Sequence, residues 1–187
     1  MADKQRKATA GDMLRSMAVI MIPVLLLVWL LTNNLEDYPV ERVDWRPVLE
    51  TARAEVDWPV QAPEGLPEEG DNSWMASRVS FVRAGENAPG GGTSPRNHWR
   101  VGFLSPDKIY YEVNQGDDRV DQLIRDVSRE ARRVGDETME GQTWERWEST
   151  DKRTRSLVQR EHPTVTIVTA DAEFIDLQQF ARTLQGS

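Results

Sequence analysis

Three regimes of hydrophobic patterning follow one another along this chain: a continuous apolar run, short helical stripes, and strict alternation. Residues 16 to 35, SMAVIMIPVLLLVWLLTNNL, carry no charge, and from Met17 to Leu31 no side chain is polar. A helix of that length covers ~30 Å, the thickness of a bilayer's hydrocarbon core. Beyond it, Asp44-Trp45-Arg46-Pro47 reads as a helix start, with Asp44 as cap and proline in the first turn. Val48, Leu49, Ala52 and Val56 then recur at helical spacing. The segment Trp58 to Pro67 holds Pro59, Pro63 and Pro67, which exclude helix and sheet interior and predict extended chain lying across another element.

From Ser73 the period becomes two. Met75, Ser77, Val79 and Phe81 are predicted to share one face of a strand. A loop, Ala84 to Asn97, follows and contains Gly90-Gly91-Gly92. Trp99, Val101 and Phe103 mark a second strand, Ser105-Pro106-Asp107-Lys108 a turn, and Ile109, Tyr111 and Val113 a third strand. Val120, Leu123, Ile124, Val127, Ala131 and Val134 then fit one face of a helix from about Arg119 to Val134, with Gly135 as its stop. Thr143 to Glu148, Leu157 to Arg160 and the β-branched run Thr164 to Thr169 predict three more strands. A last helix presents Phe174, Leu177, Ala181 and Leu184. Trp144 and Trp147 are three apart, so a regular strand puts them on opposite faces unless a bulge reunites them. Short connections imply antiparallel neighbours. The predicted class is α+β: a mainly antiparallel sheet of about six strands, β-β-β-α twice, with both helices packed on one face.

The flanks of the apolar run give it a direction. Lys4, Arg6, Lys7 and Arg15 precede it, against Asp3 and Asp12, while Glu36, Asp37 and Glu41 follow. Positive charge resists translocation, so the N-terminus is expected in the cytoplasm and the remainder outside. A cleaved signal peptide is the rival reading. The run is long for one, and Leu31-Thr32-Asn33-Asn34-Leu35-Glu36-Asp37 lacks a small-x-small cleavage pattern. With no cysteine in the chain, a lipoprotein is excluded. The expected organisation is a cytoplasmic tail at 1–15, a transmembrane helix at 16–35, a helix and proline-rich approach segment at 36–73, and an extracytoplasmic domain at 74–187. Trp29, Tyr38 and Trp45 suit the outer membrane–water interface. Pro23, within the run, is either a hinge or a simple instance of the proline that membrane helices tolerate.

Composition narrows the partners. Net charge is −8; leaving out residues 1–35, 19 basic residues face 29 acidic ones, close to −10. Such a surface repels nucleic acid and anionic headgroups. The absence of cysteine also removes disulfides, thiol catalysis and Cys-ligated metals.

The apolar run, Val43-Asp44-Trp45-Arg46-Pro47, Pro59 through Pro67, and Gly141-Gln142-Thr143-Trp144-Glu145-Arg146-Trp147 together resemble an actinobacterial family of single-pass membrane proteins known as a domain of unknown function. The resemblance spans most of residues 13 to 184. It implies a cell-membrane location in a high-GC Gram-positive bacterium and no activity. In that family a tryptophan follows the Leu-Pro after a short spacer. Here Trp74 comes later, behind Glu68-Glu69-Gly70-Asp71.

No catalytic motif is present. His98 and His162 read as turn or strand-end residues rather than bases or ligands, and Gly90-Gly91-Gly92 lacks the strand, helix and lysine of a phosphate loop. Asp117, Asp118 and Asp121 match helix capping better than a calcium loop. No catalytic, cofactor-binding or metal residue is therefore assigned, and no cofactor is expected. Seven tryptophans are many for this length. Trp58, Trp74, Trp144 and Trp147 are the candidate binding surface, set against the reading that they fill the gap under the proline-rich segment. The expected function is a membrane-anchored binding or accessory protein of the cell envelope, not an enzyme, engaging another envelope or membrane protein. The alternative is a carrier of an apolar ligand such as an envelope lipid. An envelope hydrolase using two carboxylates is more remote.

Overall fold

The computed structural model describes residues 10–33, 41–88 and 91–186. Its contacts divide the chain into two units, Met1–Val40 and Glu41–Ser187.

The first unit contains helix α1, Ala10–Asn33, with Pro23 inside it. Its described side chains are Leu14, Arg15 and Met17 through Trp29, fifteen in all. The large apolar ones among them are 43% to 72% exposed. Among the described residues, no helix is long and apolar enough to cross a membrane. The expected end of the span, Asn34-Leu35, and Tyr38 lie outside the described residues.

The second unit is an α+β structure. In chain order it comprises α2 (Arg46–Glu55), β1 (Gln61–Pro63), β2 (Met75–Val82), β3 (His98–Leu104), β4 (Tyr110–Gly116), α3 (Val120–Val127), β5 (Arg132–Met139), β6 (Gln142–Glu148), β7 (Arg155–Glu161), β8 (Thr164–Ala170), α4 (Phe174–Ala181) and β9 (Leu184–Gly186). Seven strands form one antiparallel sheet in the order β2-β3-β4-β8-β7-β6-β5, and β1 pairs with β9 beside it. Two meanders, β2-β3-β4 and β5-β6-β7-β8, thus meet where β4 pairs with β8.

One face of this sheet carries the main core. Trp99, Val101, Phe103, Tyr111, Val113, Leu157 and Val168 point into it. It is covered by α4 through Leu177, Phe180 and Ala181, by α2 through Leu49 and Ala52, and by the proline-rich segment through Trp58, Val60 and Ala62. The other face carries a smaller cluster, in which Leu123 and Ile124 of α3 pack on Val158, Val165 and Ile167.

The two helices expected on one face therefore lie on opposite faces. The cause is the centre of the sheet: Val165 and Ile167 bury on one side of β8 and Val168 on the other. A strand apolar on both sides needs cover on both. This placement is also incompatible with a simple two-fold repeat of the β-β-β-α unit. A two-fold axis relating antiparallel β4 and β8 would run through the sheet and keep both helices on the same face.

Three further expectations are corrected. The helix predicted from Arg119 to Val134 ends at Val127; Arg129 and Glu130 both take left-handed φ of 57°, and Arg132 starts β5. No glycine marks that end, whereas Gly135, the supposed stop, sits at a register shift in β5. In β2 the register shifts between Ala76 and Arg78, so Ser77 is the extra residue. Ala76 is buried, and Val79 and Phe81 pack against the core after the shift, in place of the Met75-Ser77-Val79-Phe81 face. Leu184 belongs to β9 and not to the last helix. The register shift is in β5, not β6, so Trp144 and Trp147 stay on opposite faces.

The proline-rich segment is extended, as its prolines require. It is fixed by side chains reaching from the sheet. The Trp99 indole N–H donates to the Gln61 carbonyl (3.0 Å), and the Gln115 side chain accepts from the Gln61 N–H (2.7 Å) while donating to the Pro59 carbonyl (3.3 Å) and Thr166 Oγ1 (3.0 Å).

Candidate binding groove

Between α2 and the end of the proline-rich segment lies a groove of about 700 Å³. It starts at Arg42 and is placed by local contacts. The Val43 N–H donates to the Ala76 carbonyl (2.8 Å), which lays the chain along β2. Asp44 accepts from the Arg46 N–H (3.2 Å) and so starts α2, although the residue at the cap itself is Trp45. Trp45 then packs edge-on to Phe103, ring centres 5.7 Å apart at 77°.

The opposite wall is Leu66 and Trp74. The insert Glu68 to Ser73 turns back on itself, with Ser73 N–H to Gly70 O (3.2 Å) and Trp74 N–H to Pro67 O (2.6 Å). This seats Trp74 on Phe180, stacked at 5.3 Å, and against Tyr111 at 5.1 Å. Leu66 and Trp74 also line a second groove of about 360 Å³ beside Ile109 and Tyr111, so they form a wall shared by the two. The rim is charged. Arg46 pairs with Glu68, and Arg42 donates to the Glu68 carbonyl (2.9 Å). Glu50, Arg53 and Glu64 complete it.

A family profile described as a protein of unknown function, DUF4245, matches residues 5–184. The chain belongs to the DUF4245 family. No curated protein and no solved structure matches it.

Within this DUF4245 fold the four tryptophans of the candidate binding surface do not share a surface. Trp58 and Trp144 are buried in the main core, and the Trp58 N–H donates to Asp117 (3.3 Å). Trp74 packs partly buried as above. Trp147 lies on the opposite face, against the α3 cluster, donating to Glu145 (2.9 Å). Of the residues assigned to the membrane interface, Trp45 packs against the core, Trp29 is exposed on α1, and Tyr38 lies outside the described residues. The arrangement thus brings Trp45 and Trp74 together in one groove and sends the others elsewhere. Sequence reasoning missed Arg53 and Phe103 as groove residues; only the α2 stripe hinted at which side of that helix was covered.

The opposite face of DUF4245 carries a polar network. Glu112 accepts from the Tyr110 hydroxyl (2.7 Å), from Asn114 Nδ2 (2.8 Å) and from Arg100 (3.0 Å). Three donors occupy this carboxylate. Gly102 makes the network fit, since a side-chain carbon there would fall 2.0 Å from the Tyr110 oxygen. Burial, followed by the Glu112 charge, raises the Tyr110 pKa and keeps it a donor. The network borders a groove of about 540 Å³ that also includes Arg78, Arg129 and Asp171. Among the described residues no group of three acids or histidines is placed to hold a metal ion. Asp117, expected at a helix cap, instead holds Asn97 and Trp58, while Asp121 pairs with Arg160 (2.9 Å).

His98, expected at a turn or strand end, opens β3 and meets Asn114 Oδ1 at 3.0 Å. Burial lowers its pKa, and the nearby Arg100 and Arg96 cations act in the same direction. The folded state therefore disfavours the charged imidazole, and the unfolded chain binds the extra proton first. Stability should be full above the ordinary histidine pKa of ~6.5 and fall as pH drops through it. Urea midpoints at pH 7.5 and 5.5 should differ more for the native chain than for His98→Asn. Equal differences would remove His98 as the cause.

Proposed function

We propose that the protein is a membrane-anchored binding protein of the bacterial cell envelope, with its N-terminus cytoplasmic, and that its outer domain holds an apolar ligand, an envelope lipid, in the Trp45–Trp74 groove. The observation that carries this reading is the groove itself: two tryptophans, Phe103 and two leucines line a cavity of about 700 Å³, the size range of small-molecule sites. The anchor rests on the sequence. The helix of 24 residues would measure ~36 Å, and residues 16–35 are uncharged. Its apolar side chains from Leu14 to Leu27 are exposed, which a bilayer would cover. Basic residues before it and acids after it set the orientation. The groove is also the part of the outer domain nearest to α1 along the chain, Arg42 standing nine positions after Asn33. A protein partner has less support, because Trp58, Trp74, Trp144 and Trp147 form no shared exposed patch.

The test uses the full chain in maltoside, in a Trp29→Phe background so that only outer-domain tryptophans report. Lipids with brominated chains should quench the remaining fluorescence and be retained in native mass spectrometry. Trp74→Ala should lower retention several-fold. Leu66→Trp, which fills the groove without opening its wall, should lower it as well. No quenching and no retained lipid in the native chain would overturn the proposal.

A further inference from the structure

Among the described residues, four buried polar side-chain atoms lack a hydrogen-bond partner: Arg53 Nε, Ser128 Oγ, Arg146 Nε and Gln159 Oε1. Ser128 and Gln159 line none of the grooves described above. Arg146 has other company, its guanidinium lying 4.0 Å over the Phe174 ring and 4.0 Å from Glu137. Arg53 alone of the four lines the Trp45–Trp74 groove.

Arg53 is half-buried and only its Nε is closed off from solvent; an unmet donor there is costly, and native structures seldom keep one without a reason. Among the described residues Arg53 makes no ion pair, although Glu50 and Glu64 line the same groove and are themselves unpaired there. Arg46, by contrast, is cancelled by Glu68. The rim therefore offers the guanidinium of Arg53, beside an Arg42 held only on the Glu68 carbonyl, and the carboxylates of Glu50 and Glu64, above an aromatic floor. A guanidinium fork matches a phosphate, bidentate and charge-assisted. Carboxylates alongside match an ammonium group. The floor matches hydrocarbon.

Resting on the ligand-binding role of this groove, we propose that its occupant is a zwitterionic phospholipid, with the phosphate on Arg53, the head-group amine toward Glu50 and Glu64, and the first part of the chains on Trp45, Trp74 and Phe103. A simple anionic lipid would bring its phosphate to Arg53 but leave the two carboxylates unmatched. A diacylglycerol would leave Arg53 as it is. Inorganic phosphate would gain nothing from the floor.

The experiment measures retention on the full chain in maltoside by native mass spectrometry, with phosphatidylethanolamine, phosphatidylglycerol and diacylglycerol of the same chains. The expected result is at least tenfold greater retention of phosphatidylethanolamine than of diacylglycerol, less phosphatidylglycerol than phosphatidylethanolamine, and no competition by millimolar inorganic phosphate. Arg53→Met, which keeps the aliphatic stem, should abolish the preference over diacylglycerol while circular dichroism stays native. Equal retention of diacylglycerol, a preference that survives Arg53→Met, or stronger retention of phosphatidylglycerol would each overturn the assignment. If diacylglycerol is retained and depends on Trp74 but nothing depends on Arg53, only the head-group assignment fails. If no lipid is retained at all, the binding role fails with it.

Discussion

Replacing Trp99 by alanine should destabilise the unit Glu41–Ser187 by about 3–5 kcal/mol, the range for deleting a large buried aromatic. Trp99 has no exposed surface and sits in β3 within the main core, so the surrounding backbone of three paired strands cannot collapse into the void. The indole also donates to the Gln61 carbonyl, and its loss leaves that acceptor unpaired under the proline-rich segment. Trp99→Phe separates the two contributions. It keeps most of the apolar volume and removes only the donor, so it should cost about 1–2 kcal/mol, as a lost hydrogen bond does. Urea denaturation of the full chain in detergent, followed by circular dichroism, gives both numbers. A loss below 1 kcal/mol for alanine would mean that the segment packs without this residue.

The elements that were legible in the sequence are those whose side chains alternate against one face. Trp99-Val101-Phe103 and Tyr111-Val113 bury as their period requires, because each has only the main core to face. Where a strand faces two layers, alternation carries less information. Val165, Ile167 and Val168 mark β8 as apolar on both sides, which was the available sign that helices lie on both faces. The tail of the long predicted helix failed for a different reason. Ala131 and Val134 continue the helical period by chance of spacing, yet two left-handed non-glycine residues separate them from α3, and local propensity gives no sign of these. Of the groove, Trp45 and Trp74 were singled out by residue type alone. Their meeting depends on the Glu68–Ser73 turn and on the Val43–Ala76 hydrogen bond, which join residues far apart in the chain. Arg53 carried no signal, since a cation in the last turn of an amphipathic helix is ordinary.

One of the links between the groove and the core runs through the backbone of Gln61. Gln61 is held on its carbonyl by Trp99 and on its N–H by Gln115, and two residues later Pro63 begins the groove's lining. Gln115 itself is 1% exposed. Gln115→Leu keeps the volume and strips three hydrogen bonds, leaving the part-buried Gln61 N–H and Pro59 carbonyl without their side-chain partner. The expected cost is about 2–4 kcal/mol, from unmet groups at about 1–3 kcal/mol each with partial relaxation. Trp99→Phe and Gln115→Leu should not add. Either change frees one side of Gln61, and the second then removes a contact already weakened, giving a coupling of about 0.5–3 kcal/mol in a double-mutant cycle. The same variants should loosen the Pro63–Leu66 wall, so lipid retention should fall in Gln115→Leu by more than in a core variant of equal cost placed on the opposite face, such as Ile167→Val with Val165→Ala. Strict additivity, together with unchanged retention, would show that β1 is held by its pairing with β9 and that the two side chains merely fill space.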